Sequence, residues 1–173
     1  TLAAALAGCG GYSAWPDGGD GKRVYQLGGY SAGFLQPKDV GSVYVQVFAS
    51  QEYRRELEFR LTEALVKRIL NETPLKIARK EQADSILTGE VRTVPVTNLG
   101  NAFGSDLPKE LQLVMVVDWT WKNRRTGEII AQQRGMQQAG EYLPLANETF
   151  YDGSAEAIND LAKRIVEAME SAW

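Results

Sequence analysis

Residues 111–122 read Leu-Gln-Leu-Val-Met-Val-Val-Asp-Trp-Thr-Trp-Lys, and this stretch decides the fold of the chain. Every second residue from Leu111 to Trp121 is apolar, and the series runs Leu, Leu, Met, Val, Trp, Trp. Side chains alternate between the two faces of a β-strand, so this period of two predicts a long strand with one face in a hydrophobic core. Other elements of the chain must therefore cover that face.

Strands are predicted on both sides of this stretch. Residues 123–127, Asn-Arg-Arg-Thr-Gly, have the composition of a hairpin turn, and residues 128–139 return as a strand rich in polar side chains. That composition predicts that one face of the sheet stays in contact with water. Upstream, residues 75–78 and 85–96 are predicted strands. Residues 42–49 alternate as well, with one face formed by Val43, Val45 and Val47, and the other by Tyr44, Gln46 and Phe48.

Two segments show the helical period instead. Residues 53–71 carry a narrow polar arc, and Ser50 is predicted to cap this helix. Its apolar arc is much wider than one packing surface requires, which predicts that the helix is covered on two sides. The arc consists of Leu57, Phe59, Leu61, Leu65, Val66, Ile69 and Leu70. Residues 154–173 form a second helix with a narrower apolar stripe.

The order of these elements predicts the fold class. It runs strand, helix, three or four meandering strands, helix, which is typical of an α+β domain. We expect two helices packed on one face of a mixed sheet of four or five strands. The chain has 173 residues, enough for one domain with a hydrophobic core. We assign residues 38–173 to that single domain.

The start of the chain has a different composition. Four residues that end at Cys9, Leu-Ala-Gly-Cys, close an apolar run and resemble the end of a bacterial lipoprotein signal peptide. We expect residues 1–8 to be a signal-peptide remnant. Residues 9–37 are then the lipidated cysteine, bearing acyl chains such as palmitate, and a flexible tether rich in Gly, Ser and Tyr. Gly10 rather than Asp resembles an outer-membrane address, so we expect a lipid anchor at the periplasmic face of the outer membrane.

Composition argues against several classes of function. The chain has no histidine, which removes the commonest general base and metal ligand. It contains no GxSxG, Walker or GxGxxG motif in the required setting. A net charge of −3, with acidic and basic residues well mixed, gives no basic stripe for nucleic acid. We expect no enzyme and no catalytic residue, no metal or other cofactor, and no nucleic-acid partner.

Several blocks of sequence resemble a known family. They are residues 29–33, Gly-Tyr-Ser-Ala-Gly; residues 39–48, Asp-Val-Gly-Ser-Val-Tyr-Val-Gln-Val-Phe; residues 54–65, Arg-Arg-Glu-Leu-Glu-Phe-Arg-Leu-Thr-Glu-Ala-Leu; and residues 83–91, Ala-Asp-Ser-Ile-Leu-Thr-Gly-Glu-Val. Together with the lipoprotein signal, they are similar to the LptE family of lipopolysaccharide-assembly lipoproteins. The resemblance implies two helices against a four-stranded sheet and no catalysis. It also implies binding of lipopolysaccharide and a position as the plug of an LptD-type β-barrel in the Gram-negative envelope.

This resemblance directs attention to cations. Lipid A carries phosphates, so a lipopolysaccharide site needs cations beside apolar surface. Our candidates are Lys122, Arg124 and Arg125 at one hairpin end, next to two tryptophans in sequence. The alternative is an exposed turn that keeps the sheet edge soluble. Arg54 and Arg55 lie at the start of the predicted first helix, where the helix dipole disfavours cations, so they are candidates for contact with a partner carboxylate.

Two other functions stay open from the sequence. A tethered lipoprotein that binds and activates a peptidoglycan synthase would also have a flexible tether and a small α+β body. As a random coil the tether would extend only about 30 Å, which is short for reaching through peptidoglycan. An enzyme that acts on envelope glycans would need two carboxylates converging in a cleft.

Overall fold

The long strand predicted around residues 111–122 lies inside the sheet of the protein. The structure, a computed structural model, describes residues 26–27, 30–31, 40–54, 56–104 and 106–172. The strands are β1 (Gln26–Leu27), β2 (Tyr30–Ser31), β3 (Ser42–Val45), β4 (Ala49–Ser50), β5 (Lys76–Ile77), β6 (Ser85–Thr93), β7 (Val96–Asn101), β8 (Pro108–Asn123) and β9 (Ile129–Tyr142). The helices are α1 (Leu57–Glu72) and α2 (Phe150–Glu170), with a 3-10 turn at Pro144–Ala146.

Strands β1 and β2 lie in a separate unit of the chain. They form a short antiparallel pair in which Gln26 faces Ser31 and Leu27 faces Tyr30. This pair falls within the segment predicted to be a tether. Cys9, the predicted signal-peptide remnant and the rest of the tether lie outside the described residues. The lipid anchor and the tether therefore stay predictions.

Within the described residues, seven strands form the main sheet, and they occupy five rows, each row being one strand position across the sheet. β5 is one edge, β3 and β4 share the second row, β6 and β7 share the third, and β8 and β9 complete the order. The pairs of β3 with β5 and of β3 and β4 with β6 are parallel, and the other pairs are antiparallel. The predicted α+β class with two helices and a mixed sheet is confirmed. The strand count is higher than predicted because two rows are interrupted.

The first interruption separates β3 from β4. Between these two strands the chain has one residue more than the facing part of β6. An extra residue reverses which side chains face the core. Val47 is therefore 48% exposed and Phe48 is buried. The predicted grouping of Val47 with Val43 and Val45 is wrong, and Phe48 belongs to the core instead.

The second interruption separates β6 from β7 at Pro95. A prolyl residue has no N–H to donate, so the ladder breaks there, although the Pro95 carbonyl oxygen accepts a bond of 3.0 Å from the Val114 N–H. β7 then extends the row to Asn101, beyond the predicted strand end at residue 96. Its Asn and Gly residues have low strand propensity, which hid this strand in the sequence.

Both helices begin at different residues than predicted. α1 begins at Leu57 rather than residue 53, because β4 continues along β6 and Glu56 then turns with a left-handed φ of 85°. Ser50 lies in β4 and does not cap the helix. α2 begins at Phe150, before the predicted residue 154, because a Thr149–Asp152 capping box precedes it.

The core lies between the helices and one face of the sheet. The predicted apolar face of β8 is buried there, from Leu113 to Trp121. α1 packs on both the sheet and α2, as its wide apolar arc predicted. Part of the arc nevertheless stays open, since Phe59 is 58% exposed and Leu70 is 55% exposed. The buried residues of α1 are Leu57, Glu58, Leu61, Leu65 and Ile69.

Glycines allow two close contacts in this core. The Phe48 ring lies directly on the backbone of Gly89, where a Cβ atom would overlap the ring. Gly140 on β9 and Gly153 on α2 face each other in the same way, and a Cβ atom on Gly140 would overlap the carbonyl oxygen of Gly153. These positions fix how closely the sheet approaches the chain that covers it.

We expect Gly89→Ala to lower the free energy of unfolding by about 2 kcal/mol, because Phe48 or the β6 backbone must move to admit the new methyl group. Urea denaturation of the purified protein measures this change. Gly100→Ala is the matched control, since Gly100 is also a strand residue but has open space around its Cα. Equal stability of the two variants would contradict the packing described here.

Candidate functional site

The end of the β8–β9 hairpin carries a cavity with two arginines. The cavity measures about 410 Å³ and is lined by Ala83, Asp84, Asn123, Arg124 and Arg125. The Arg124 Nε atom donates a hydrogen bond of 2.7 Å to the carbonyl oxygen of Ala83, which fixes its side chain at the rim. Two guanidinium groups beside a solvent-filled cavity can bind an anion such as a phosphate. We call this site the hairpin cavity.

Lys122 is separated from the other two predicted cations. It does not line the hairpin cavity. Side chains alternate along β8, and the neighbouring Trp121 is buried in the core, so Lys122 projects from the opposite face of the sheet. Trp119 is buried on the core face as well. The structure thus brings Arg124 and Arg125 together, but it does not place an exposed tryptophan beside them.

The second predicted cluster, Arg54 and Arg55, precedes α1. Arg55 lies outside the described residues. The Arg54 guanidinium lies 4.1 Å from the centre of the Phe150 ring, and Arg60 lies 4.9 Å from the centre of the Tyr151 ring. These cation–π contacts connect the start of α1 to the start of α2. Because α1 begins only at Leu57, the expected conflict between Arg54 and the helix dipole does not arise.

The sequence did not indicate a second cavity beside the start of α1. This cavity measures about 770 Å³. We call it the Glu58 cleft, and its lining residues are Val47, Phe48, Ser50, Gln51, Glu52, Tyr53, Glu58 and Phe59. Tyr53 is 95% exposed and Phe59 is 58% exposed, so two aromatic side chains of the cleft face solvent. The wide apolar arc of α1 indicated more apolar surface than one packing contact requires, but it could not show that Val47 lines the same cavity as Phe59.

On the sheet face opposite the helices, Arg92 lies between two carboxylates. The Arg92 Nε atom lies 3.1 Å from an Asp118 carboxylate oxygen, and Glu90 lies 4.0 Å from the same guanidinium group. The other Asp118 oxygen accepts a hydrogen bond of 2.6 Å from the Gly135 N–H, where β9 bulges. This face therefore presents a polar surface, and its exposure to water agrees with the prediction from the sequence.

Neither a cluster of metal-binding side chains nor a membrane-spanning helix is found among the described residues. Among the described residues, no group of three or more carboxylate, cysteine or histidine side chains is placed to hold a metal ion. Within the same ranges, no helix combines the length and the apolar character needed to cross a membrane.

Comparison with known families identifies the domain that carries these cavities. The family model described as LptE, lipopolysaccharide-assembly, matches residues 40–172. The chain belongs to the LptE family. The match includes every helix and every strand of the main sheet, so both the hairpin cavity and the Glu58 cleft lie within the part of the chain that defines this LptE-family protein. No curated protein sequence matches the chain.

Solved structures with a similar fold support the same architecture. A hypothetical protein of Chlamydia trachomatis superposes with a TM-score of 0.55 at 11% identity, covering 77% of this chain and 97% of that one. A protein of Xanthomonas campestris gives a TM-score of 0.55 at 11% identity, covering 79% and 89%. Rare lipoprotein B of Shewanella oneidensis is 19% identical with a TM-score of 0.42, covering 74% and 94%. The first two show that this LptE-family chain shares its fold with other bacterial proteins.

Asp84 connects the hairpin cavity to the start of β3. Its carboxylate accepts hydrogen bonds of 2.6 Å from the Ser42 hydroxyl and 3.2 Å from the Gly41 N–H. The Ser42 bond lowers the pKa of Asp84 below its ordinary value of 3.8, and the Gly41 amide and Arg124 lower it further, against the opposing effect of burial. The ionised form of Asp84 is therefore favoured in the folded state.

We expect Asp84→Asn to lower the free energy of unfolding at pH 7 by about 1 kcal/mol, because it removes charge-assisted hydrogen bonds. Since the folded pKa lies below the unfolded value of 3.8, the stabilisation is complete above that value and is lost as the pH falls through the folded pKa. Urea denaturation at pH 7 and at pH 3 measures both differences. Asp106→Asn on the exposed β7–β8 connection is the control. A difference that persists unchanged at low pH would contradict this account.

Proposed function

We propose that this chain is a lipid-anchored outer-membrane lipoprotein that assists the assembly of lipopolysaccharide as the partner and plug of an LptD-type β-barrel. We also propose that it works by binding rather than by catalysis. The observation that carries the proposal is the match of residues 40–172 to the LptE family. Cys9 supplies the anchor in this proposal, and the domain beyond residue 38 supplies the binding surfaces.

The distribution of apolar surface supports a protein partner. Single exposed apolar residues are common on monomeric proteins, but here several of them adjoin one cavity. Val47, Tyr53 and Phe59 surround the Glu58 cleft, and Leu70 lies farther along the same helix. A β-barrel that encloses the domain would cover such a surface.

The hairpin cavity supports contact with lipopolysaccharide. Arg124 and Arg125 line a space open to solvent, and lipid A phosphates are the kind of anion that guanidinium groups bind with paired hydrogen bonds. Lys122 would add positive charge on the neighbouring sheet face. The buried tryptophans of β8 offer no acyl-chain contact, so this site would recognise the charged head group.

A pull-down tests the proposed partnership. The full-length lipoprotein, tagged at its C-terminus, is extracted in detergent from native outer membranes, and the co-purifying proteins are identified by mass spectrometry. We expect an LptD-type barrel in stoichiometric amount. Recovery of a peptidoglycan synthase without any barrel would replace the proposal with that of a synthase activator. Turnover of envelope glycan by the purified protein would refute the proposal of a non-enzymatic function.

Neutral substitutions test the lipopolysaccharide site. We expect the triple variant Lys122→Gln, Arg124→Gln, Arg125→Gln to bind purified lipopolysaccharide about tenfold more weakly, because charge-assisted hydrogen bonds to phosphate are lost. Glutamine keeps a donor near the Ala83 carbonyl, which protects the fold. Affinity is measured with immobilised lipopolysaccharide.

The control is Lys67→Gln, Lys80→Gln, Lys163→Gln, which changes the net charge equally at three exposed positions. An equal loss of lipopolysaccharide affinity in both triple variants would mean that net charge alone causes the effect. Unchanged binding by a folded hairpin variant would remove Lys122, Arg124 and Arg125 from the site.

A further inference from the structure

Glu58 is the most unusual charged residue of the described domain. It lies in the first turn of α1, where its side chain is only 8% exposed. Its Oε2 atom is shielded from solvent and has no hydrogen-bond partner within the described part of the chain. A buried carboxylate without a partner is unfavourable, and the helix dipole offsets only part of that cost. Glu58 therefore has unused capacity to bind a cation.

Nearby carboxylates do not share this property. The two Glu52 oxygens accept hydrogen bonds of 3.2 Å from the Tyr53 N–H and 2.9 Å from the Val94 N–H. Glu90 accepts a bond of 2.7 Å from the Gln51 side chain. Glu58 lines the same cleft as Glu52 and Gln51, yet it alone of these carboxylates has an oxygen left unpaired in the part of the chain described.

The Glu58 cleft combines apolar side chains with polar and acidic ones. Phe48 and Glu58 are buried, whereas Val47, Tyr53 and Phe59 are exposed. Among the described residues that line it, there is no lysine or arginine. A phosphate-bearing lipid would be repelled by Glu58, and one carboxylate with no second acidic ligand free is a poor site for a metal ion.

We propose that the Glu58 cleft receives a lysine or arginine side chain from a segment of the protein partner, with apolar residues of that segment against Val47 and Phe59. This inference rests on the proposed function, because the barrel would supply the segment. The long aliphatic stem of either cation can pack on the apolar walls while its charged end reaches Glu58. Charge complementarity with Glu58 and apolar contact with Val47 and Phe59 favour this occupant over an anionic lipid.

The contact would extend along α1. Phe59, Val66 and Leu70 are spaced by seven and four residues, so they lie on one side of the helix. Phe59 and Leu70 are exposed, and Val66 is half-buried. This stripe begins at the cleft and continues away from it, which gives the partner segment a line of apolar contact beyond its cation.

Site-specific photocrosslinking tests the occupant. The full-length lipoprotein carries p-benzoylphenylalanine at position 59 in its native outer membrane, and the adducts are mapped by mass spectrometry. The control replaces Leu145, which is exposed to a similar extent on the 3-10 turn. We expect position 59 to give an adduct with a protein segment that has a lysine or arginine within a few residues. An adduct with lipid alone, with a segment that lacks a cation, or equally at both positions would overturn the inference.

Variants of Glu58 test the charge. We expect Glu58→Gln to reduce the crosslink at position 59 about tenfold, as the loss of a charge-assisted hydrogen bond predicts, and Glu58→Arg to abolish it. Glu63→Gln, at an exposed position of the same helix, should leave the yield unchanged. Undiminished crosslinking with Glu58→Gln would overturn the inference.

Two further measurements separate the explanations. The melting temperature of purified Glu58→Gln should be no lower than that of the wild type, because no internal hydrogen bond of Oε2 is lost. A clear fall would mean that Glu58 stabilises the fold, and it would overturn the inference.

The pull-down and the crosslinking together distinguish failure of the inference from failure of the proposed function. If the barrel co-purifies with the wild type while Glu58→Gln crosslinks normally, the inference alone fails. If no barrel co-purifies with the wild type but position 59 crosslinks to a cationic segment of another protein, the proposed function fails and the Glu58 contact stands.

Discussion

The hydrogen bonding of β8 along both of its edges is the constraint on which the rest of this domain depends. One edge pairs with β7 and β6 in succession, and the other pairs with β9. With both edges occupied, the strand cannot shift its register without breaking all three pairings, so its apolar face stays turned to the helices. Trp119 and Trp121 are thereby held in the core, and the turn after Asn123 is held at the end of the sheet, where the hairpin cavity forms.

The sequence predicted the elements better than their junctions. Strict alternation in β8 and helical periodicity in α1 and α2 depend on burial, so they could be read directly. The reversal at Phe48 depends on one extra residue opposite β6, and no pattern within residues 42–49 shows it. Glu56 in a left-handed conformation delays the start of α1 in a way that propensity does not indicate. The Thr149–Asp152 capping box was visible in the sequence and would have corrected the start of α2.

The same contrast between predictable elements and unpredictable junctions applies to the candidate sites. Arg124 and Arg125 are neighbours in a tight turn, so sequence proximity was enough to predict that they lie together, and they line the same cavity. The Glu58 cleft unites residues from the loop before β4, from β4, from the segment between β4 and α1, and from α1. It exists because the reversal before β4 turns Val47 outward and Phe48 inward, so the junction that the sequence could not predict is also what shapes the cleft.

The mixture of parallel and antiparallel pairing also has a consequence for how the domain folds. β8 and β9 are joined by a tight turn, so their pairing closes a short loop, whereas Val43 of β3 meets Ser85 of β6 only after the chain has passed through α1. Closing a longer loop costs more chain entropy and slows folding. The antiparallel half of the sheet is thus expected to form early as a template, and the β3 row, with the Phe48 ring seated on Gly89, to complete the native state last.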